Sequence, residues 1–312
     1  MSIIDNEKYL VRKPIYGTGA GYGIPGKRTM TILSSRQVSE ANYSIEIGWI
    51  VSKPKPSDQG PEHVHDFDEI LLHWGNNYET PQVLGGEFEF KIGGQTIKSN
   101  TTTGIYIPKG VPHGPITWKE YKTPHVQMVM MLGTGIPHQS QPAASQKAQT
   151  TGKKVDYEQY VIRSPMREAG AEFVRGRTAP TMTYMSGVQI PGVKTYIEMG
   201  WTFDMPLSGR PTPGGGAMPE MLHKQFEEIV LHIGGDPEAP EDLGGEIEFF
   251  VGGQPLTFSS TSALFIPKNV RHGPLACKSY RKPHIVMAIM CGAGNVKDGW
   301  ADSFITNKPE AK

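Results

Sequence analysis

Short runs of apolar, β-branched and aromatic residues alternate along the chain with clusters of glycine, proline and asparagine. Examples are EILLHW (69–74), GIYIPKG (104–110) and HVQMVMML (125–132). Such runs, separated by turn residues at short intervals, are typical of an antiparallel sandwich or barrel. MPEMLHKQFEE (218–228) has a helical appearance, but its counterpart PEHVHDFDE (61–69) lacks helical periodicity, so we predict strand and turn there. The pattern predicts an all-β protein.

The chain repeats itself along nearly its whole length. DNEKYLVRKP (5–14) recurs as DYEQYVIRSP (156–165), and IEIGW (45–49) recurs as IEMGW (197–201). The segment 67–135 aligns without a gap on 226–294, with LGGEFEFKIGGQ matching LGGEIEFFVGGQ. An internal duplication of this length predicts two domains of the same fold. We expect them at residues 1–135 and 155–294.

Two segments lie outside the repeats. Residues 136–154 are rich in Ser, Gln, Ala and Pro, a composition typical of a linker. The tail 295–312 has no counterpart in the first copy, and we expect it to be loosely packed or to cover a partner's surface.

Composition and charge narrow the functional classes. The 312 residues include 37 glycines and 26 prolines, which favours many turns between short strands. The 31 Lys and Arg balance the 31 Asp and Glu, so no basic field would attract nucleic acid. No window is apolar for long enough to cross a membrane, and the N-terminus has no secretory apolar stretch. Cys277 and Cys291 lack counterparts in the first copy, so we interpret them as ordinary buried thiols in a cytoplasmic protein.

The histidines are duplicated with the fold. Eight of the ten form four equivalent pairs: His65 with His223, His73 with His232, His113 with His272, and His125 with His284. The pairing predicts a role that both domains inherited. It does not distinguish a metal ligand from a core histidine with a satisfied hydrogen bond.

The strongest constellation in the first copy is His63, His65, Glu69 and His113. Two histidines at i and i+2 of an extended segment project to one face, where a carboxylate just past a turn can meet them. His113 follows a Pro-x-Gly turn at the entry to another strand and could supply a further nitrogen. This spacing predicts a metal site.

These residues resemble the two motifs of the cupin superfamily, approximately G-x5-H-x-H-x3,4-E-x6-G and G-x5-P-x-G-x2-H-x3-N. With two copies, the chain resembles a bicupin. The resemblance implies two tandem jelly-roll (double-stranded β-helix) barrels, each with a candidate metal site inside. Four framework positions depart from the pattern. The glycine before His63 is misplaced, Asn76 replaces a glycine, Gly104 stands closer to Pro108 than the pattern asks, and Thr117 replaces an asparagine.

The second copy departs further, because Met221 stands where the first copy has His63. His223, Glu228 and His272 remain, and one extra residue precedes the glutamate. Two histidines and a carboxylate can hold a metal, but the loss of a nitrogen donor weakens affinity for divalent ions. We expect the second site to be the weaker one.

His73 and His232 follow their glutamates by four residues and so face the same side of a regular strand. They are candidates for partners of the ligands or for donors to a substrate, and a satisfied core histidine is an equal alternative. We expect His125 and His284 to lie farther from the sites and His138 to lie in the linker.

Iron, manganese or nickel suits three imidazoles and a carboxylate, and zinc is compatible. Within the resembled superfamily such centres serve dioxygenases, decarboxylases and isomerases. In bicupin aromatic-ring dioxygenases of that superfamily one domain carries the chemistry. By that analogy, the inequality of the two sites implies a dioxygenase-type oxidoreductase that uses the N-terminal site on a small oxygenated organic substrate. The alternative is a non-catalytic ligand-binding or structural bicupin. We also expect a homo-oligomer assembled through strand edges.

Overall fold

A computed structural model describes residues 5–17, 25–136, 141–142, 155–166, 182–202 and 220–303. Within these ranges nearly all regular structure is β, with one short α-helix and two single-turn 3-10 helices, Asn6–Tyr9 and Tyr157–Tyr160. The all-β prediction is confirmed. Cys277 and Cys291 are buried cysteines, as expected.

The elements are numbered in chain order. They are β1 Leu10–Val11, β2 Ile15–Tyr16, β3 Lys27–Leu33, β4 Tyr43–Ile50, β5 Asp58–Gln59, β6 His63–Val64, β7 Asp68–Gly75, β8 Val83–Ile92, β9 Gln95–Thr101, β10 Thr103–Ile107, β11 His113–Tyr121, β12 His125–Leu132, β13 Gln141–Pro142, β14 Val161–Ile162, β15 Met182–Met185, β16 Thr195–Thr202, β17 Met221–Leu222, β18 Glu227–Gly234, β19 Asp242–Val251, β20 Gln254–Ser260, β21 Ser262–Ile266, β22 Arg271–Tyr280, β23 His284–Cys291 and α1 Val296–Trp300.

The first compact unit comprises Lys13–Pro165 and is called the first barrel below. One antiparallel sheet has the order β14-β10-β7-β12-β4-β3-β2, and the other has the order β13-β6-β11-β8-β9 with β5 beside β11. Alternation along β8 buries Phe88, Phe90 and Ile92 against Trp118 and Ile105 in the core. The barrel interior therefore lies between the two sheets.

The second compact unit comprises Met1–Arg12 and Met166–Lys312 and is called the second barrel. Its sheets have the orders β1-β21-β18-β23-β16-β15 and β17-β22-β19-β20. From β7 to β12 and from β18 to β23 the strands correspond one to one, as the repeat predicts. The two barrels have the predicted tandem jelly-roll architecture.

The units differ from the sequence boundaries at the start of each repeat. The opening segment up to Arg12 belongs to the second barrel, where Leu10 pairs with Leu264 and the main-chain N–H of Asn6 donates to Oε1 of Gln254 at 2.8 Å. The equivalent strand β14 pairs with β10 of the first barrel, with Ile162 opposite Gly104. Each repeat's opening strand thus completes the barrel built from the other repeat.

The segments outside the repeats also contribute structure. Within the expected linker, β13 pairs with β6, placing Pro142 opposite His63. The tail supplies α1, capped by the Asn295 side chain, and its Val296 packs on Phe226 in a buried cluster. Its described part is therefore packed against its own barrel. No helix in the described ranges is long and apolar enough to span a membrane.

Candidate metal centres

Four side chains converge inside the first barrel from three strands and the turn between two of them. His63 on β6 stands opposite His113 on β11, His65 follows β6, and Glu69 lies on β7 of the facing sheet. One donor atom from each residue lies within 4.8 Å of all the others. His65, Glu69 and His113 are buried, whereas His63 is partly exposed. The sequence-predicted residues are therefore brought together, with His63 on the solvent side.

Each imidazole of this group is oriented through its Nδ1 atom. The Nδ1 atoms of His63, His65 and His113 lie 3.1, 2.7 and 2.8 Å from the carbonyl oxygens of residues 61, 67 and 111. A carbonyl oxygen only accepts, so we assign the proton to Nδ1 in all three rings. Each Nε2 atom is then left with a lone pair, the form in which imidazole binds a metal.

The short distances from two imidazoles to the Glu69 carboxylate are compatible with a cation bound between them. The Nε2 atom of His65 lies 3.0 Å from Oε2 of Glu69, and that of His113 lies 3.9 Å from the same oxygen. With Nδ1 protonated, a neutral His65 turns a lone pair towards a carboxylate oxygen, so a positive ion or a proton must lie between them. The buried Nε2 atom of His113 has no hydrogen-bond partner among the described residues. The donor set therefore suits a divalent metal ion.

The electrostatics of the group favour the ligating forms at neutral pH. Burial would raise the pKa of Glu69, but the side-chain contact with His65 and the nearby imidazoles outweigh it, and the pKa is lowered. Burial also lowers the pKa of His113 to about 4, although Glu69 opposes this shift. Glu69 is thus a carboxylate and His113 a neutral imidazole near pH 7.

The second barrel brings together His223, Glu228 and His272. Met221 on β17 stands opposite His272 on β22, in the register that pairs His63 with His113. This confirms the alignment that puts Met221 at the position of His63. The Nε2 atoms of His272 and His223 lie 2.8 and 3.3 Å from Oε2 of Glu228. The second group therefore offers three nitrogen and oxygen donors instead of four.

A residue of the tail orients one of these imidazoles. The Nδ1 atom of His223 lies 3.0 Å from Oγ of Ser303, and that hydroxyl donates to the carbonyl oxygen of Gly299 at 2.8 Å. Because the hydroxyl proton is used, Oγ accepts from Nδ1–H of His223. Burial would raise the pKa of Glu228, but His272 and His223 lower it to about 2.

The remaining predicted histidines lie apart from the donor groups. His73 is buried, its ring lies 4.2 Å from Phe88 between centroids, and neither ring nitrogen has a hydrogen-bond partner in the described structure. Burial, with His125 and Lys27 nearby, holds the pKa of His73 well below its usual range. His232 is likewise buried, with ring centroids 5.1 Å from Phe258 and 5.6 Å from His284. His73 therefore makes no hydrogen bond to a candidate ligand among the described residues, and His138 lies outside them.

Sequence reasoning missed a buried glutamate in each barrel, and it also missed Ser303 of the tail. Glu46 is buried beside Thr31, whose hydroxyl lies 3.3 Å from its Oε1 atom, and Glu198 accepts from the Tyr196 hydroxyl at 3.0 Å in the second barrel. The signal was available, because a glutamate recurs inside the apolar segments IEIGW and IEMGW. Ser303 carried no such signal, since the tail is not repeated.

Solved structures share the fold of this chain, whereas family models and curated proteins give no match. No protein-family model matches the sequence. No curated protein matches it. Among solved structures, AerE from Microcystis aeruginosa is 14% identical with a TM-score of 0.50, over 91% of this chain and 98% of that one. A mutant of Bacillus subtilis oxalate decarboxylase is 11% identical with a TM-score of 0.54, over 91% of this chain and 75% of that one.

A second oxalate decarboxylase structure from Bacillus subtilis comes from a study of the Mn(II) centres of that enzyme. It is 11% identical with a TM-score of 0.54, over 95% of this chain and 79% of that one. At these identities the likeness shows the fold alone. The fold is a tandem jelly-roll of the kind that the cupin resemblance implies, and it carries two groups of side chains that could hold a metal.

Proposed function

We propose that the first barrel is the centre of a metal-dependent enzyme, a dioxygenase-type oxidoreductase acting on a small oxygenated organic substrate. The observation that carries the proposal is the convergence of three Nε2 lone pairs and one carboxylate inside 4.8 Å. His63, His65, Glu69 and His113 would hold the ion. The 3.0 Å between Nε2 of His65 and Oε2 of Glu69 requires a positive ion or a proton between them, and the unpartnered Nε2 atom of His113 beside them supports the ion.

The residues of the group have separate tasks. Glu69 supplies the negative charge that offsets a divalent cation, and its lowered pKa keeps that charge at neutral pH. The carbonyl oxygens behind His63, His65 and His113 fix the rings so that the site is formed before a ligand arrives. Burial of three of the four donors keeps water away and strengthens their electrostatic effect. Partly exposed His63 marks the side from which substrate enters.

Three imidazoles and a carboxylate leave up to two positions on an octahedral ion, and a bound iron, manganese or nickel would there supply Lewis acidity or oxygen activation. Zinc is compatible with the Lewis-acid role. Manganese belongs in the first metal screen because the fold neighbour from Bacillus subtilis has Mn(II) centres. A small molecule suits this site better than nucleic acid, because the balanced charge offers no basic field.

The two barrels are proposed to be unequal. The second group has Met221 in place of a nitrogen donor, and a thioether binds hard or borderline divalent ions weakly. We assign it a weaker metal site that does not carry the main reaction.

Metal analysis of matched variants tests the proposal. Protein expressed without an affinity tag and purified without chelators is analysed for metals by mass spectrometry, beside His63→Ala and its positional match Met221→Ala. We expect near one equivalent of iron, manganese or nickel in the wild type, retained in Met221→Ala and largely lost in His63→Ala. Oxygen uptake with catechol-like and diketone substrates should be lost in the same variant.

Two outcomes contradict the proposal. Absence of metal from the wild type, together with failure to bind any of these ions on titration, would favour the non-catalytic bicupin. Turnover that persists in metal-free His63→Ala would exclude the assigned centre.

A further inference from the structure

Several buried polar atoms of the first barrel have no hydrogen-bond partner among the described residues. They are Thr29 Oγ1, Ser44 Oγ, Gln127 Oε1 and both ring nitrogens of His73. All four side chains are at least nine-tenths buried. A buried polar group left without a partner costs about 1–3 kcal/mol, so such a set on one surface calls for a ligand or ordered water.

These atoms belong to one face of one sheet. His73 on β7 pairs with Gln127 on β12, which pairs with Gly48 on β4, which pairs with Thr29 on β3. His73 follows Glu69 by four residues, so this face is the one from which Glu69 meets the imidazoles of the other sheet. Ser44, in the row of Glu69, continues the polar face towards the candidate metal centre.

Lys27 brings a positive charge to the same face. A Cβ added at Gly48 would lie 2.5 Å from its Cε atom, so the lysine chain runs over the glycine and into the barrel. Its electrostatic partners are Glu46 and His73. Burial lowers the pKa of Lys27 to about 8, against the effect of Glu46.

The second repeat is an internal comparison, because 27–49 aligns on 179–201 and 67–135 aligns on 226–294 without a gap. At the positions of Lys27, Ser44 and Gln127 it has Ala179, Tyr196 and Val286, the first of which lies outside the described residues. The Tyr196 hydroxyl donates to Glu198 at 3.0 Å and lies 3.1 Å from Thr183 Oγ1. A tyrosine and a valine in the second barrel thus replace two of the side chains whose polar atoms lack partners in the first barrel.

We propose that Lys27, Thr29, His73 and Gln127 form a binding site for a small hydroxycarboxylate inside the first barrel, and that the second barrel lacks this site. The ammonium and the Thr29 hydroxyl would donate to the carboxylate, while Gln127 Oε1 and His73 would contact the ligand hydroxyl. The assignment of this anion as the substrate rests on the proposed function, whereas the prediction that the anion binds does not depend on it.

A matched pair of fluorinated probes tests the site by 19F NMR. 3,3,3-Trifluorolactate carries a hydroxyl and a carboxylate, and 3,3,3-trifluoropropane-1,2-diol replaces only the carboxylate by a neutral alcohol. We expect wild-type protein to bind the anion at least tenfold more tightly than the diol. In Lys27→Met, which keeps the chain length, the ratio should fall to near one. Ser44→Tyr and Gln127→Val, which copy the second repeat, should weaken both probes at least tenfold.

Lys53→Met is the control, since Lys53 is an exposed lysine of the same barrel, and it should retain the preference. Each titration is run on metal-loaded and on chelator-treated protein. A Lys27-dependent preference in chelator-treated protein supports the site even where the metal centre fails. Absence of binding by either probe, or a preference that survives Lys27→Met, overturns the proposal.

Discussion

The Nδ1 atom of His223 donates a hydrogen bond to Oγ of Ser303 over 3.0 Å, and Ser303 in turn donates to Gly299. Leu222, next to His223, also donates its main-chain N–H to the carbonyl oxygen of Ser303. A residue beyond the repeat thus fixes the tautomer and direction of a candidate ligand. In the first barrel the equivalent imidazole, His65, is oriented instead by the main-chain carbonyl oxygen of Phe67.

Ser303→Ala should weaken metal binding at the second centre about 10–100-fold, because an imidazole without its outer partner loses orientation and basicity. The first centre should be unaffected. Competition with a chromophoric chelator measures both sites. Asp302→Asn is the control, since Asp302 is exposed and asparagine tolerates its positive φ of 57°. Equal affinities in wild type and Ser303→Ala would remove the orienting role.

Met221→His should convert the second group into a four-donor set. Met221 already stands opposite His272 as His63 stands opposite His113, so the new imidazole would start from the register that the first barrel uses. We expect affinity for a divalent ion at this site to rise at least tenfold. Met221→Leu, which keeps the apolar volume without a donor, should leave the affinity at the wild-type value. A histidine variant no tighter than the leucine variant would contradict the ligand-count argument.

Local patterns were enough to predict much of this molecule. Period-two alternation and turn residues predicted the strands around β7 and β8, and the repeat predicted their copies. The residues from His63 to Glu69 lie within one turn and strand, so their convergence follows from short-range geometry. The sequence predicts His113 as a ligand because it follows the Pro108-x-Gly110 turn and has an equivalent, His272, in the second copy.

Long-range pairing was not predictable in the same way. The opening segments 5–14 and 156–165 are near copies, so the sequence does not decide which barrel each of them completes. The place of Lys27 and Glu46 on the polar face follows from the pairing of β3 with β4 and of β7 with β12. Such pairing between separate strands cannot be read from a short segment of the sequence. Ser303 acts through a contact across 80 residues.

Gly114→Ala should disturb the first centre through the backbone. Gly114 has φ of +87°, and an added Cβ would lie 2.9 Å from the carbonyl oxygen of Pro61 and 3.4 Å from Nδ1 of His63. Gly110→Ala is the matched control, because it shares a positive φ of 74° but a Cβ there meets nothing within 4 Å. Both variants should lose about 1–2 kcal/mol of stability from the left-handed conformation.

Only Gly114→Ala should weaken metal binding at the first centre, since the hydrogen bond from His63 to the carbonyl of Pro61 is the contact that it displaces. Urea unfolding and metal competition measure the two effects separately. Equal metal affinities in the two variants would show that Gly114 is needed for backbone conformation alone.

His125 should contribute to loss of stability in acid. Its Nδ1 atom donates to the carbonyl oxygen of Thr123 at 2.8 Å, and its ring lies 4.8 Å from that of Trp118 between centroids. Burial lowers the pKa of His125 from 6.5 to about 4. The unfolded chain therefore binds a proton before the folded one, and stability present above pH 6.5 is lost as the pH falls towards 4.

His125→Leu should remove this contribution, which amounts to about 3 kcal/mol between those pH values. The variant should be less stable than wild type at pH 8, because Thr123 loses its partner, and the difference should shrink or reverse near pH 4.5. Urea unfolding followed by tryptophan fluorescence at pH 8, 6 and 4.5 measures the change. His73 and His113, whose pKa values are also lowered by burial, leave a residual slope in the variant. A slope identical to that of wild type would mean that His125 is not the group that takes up the proton.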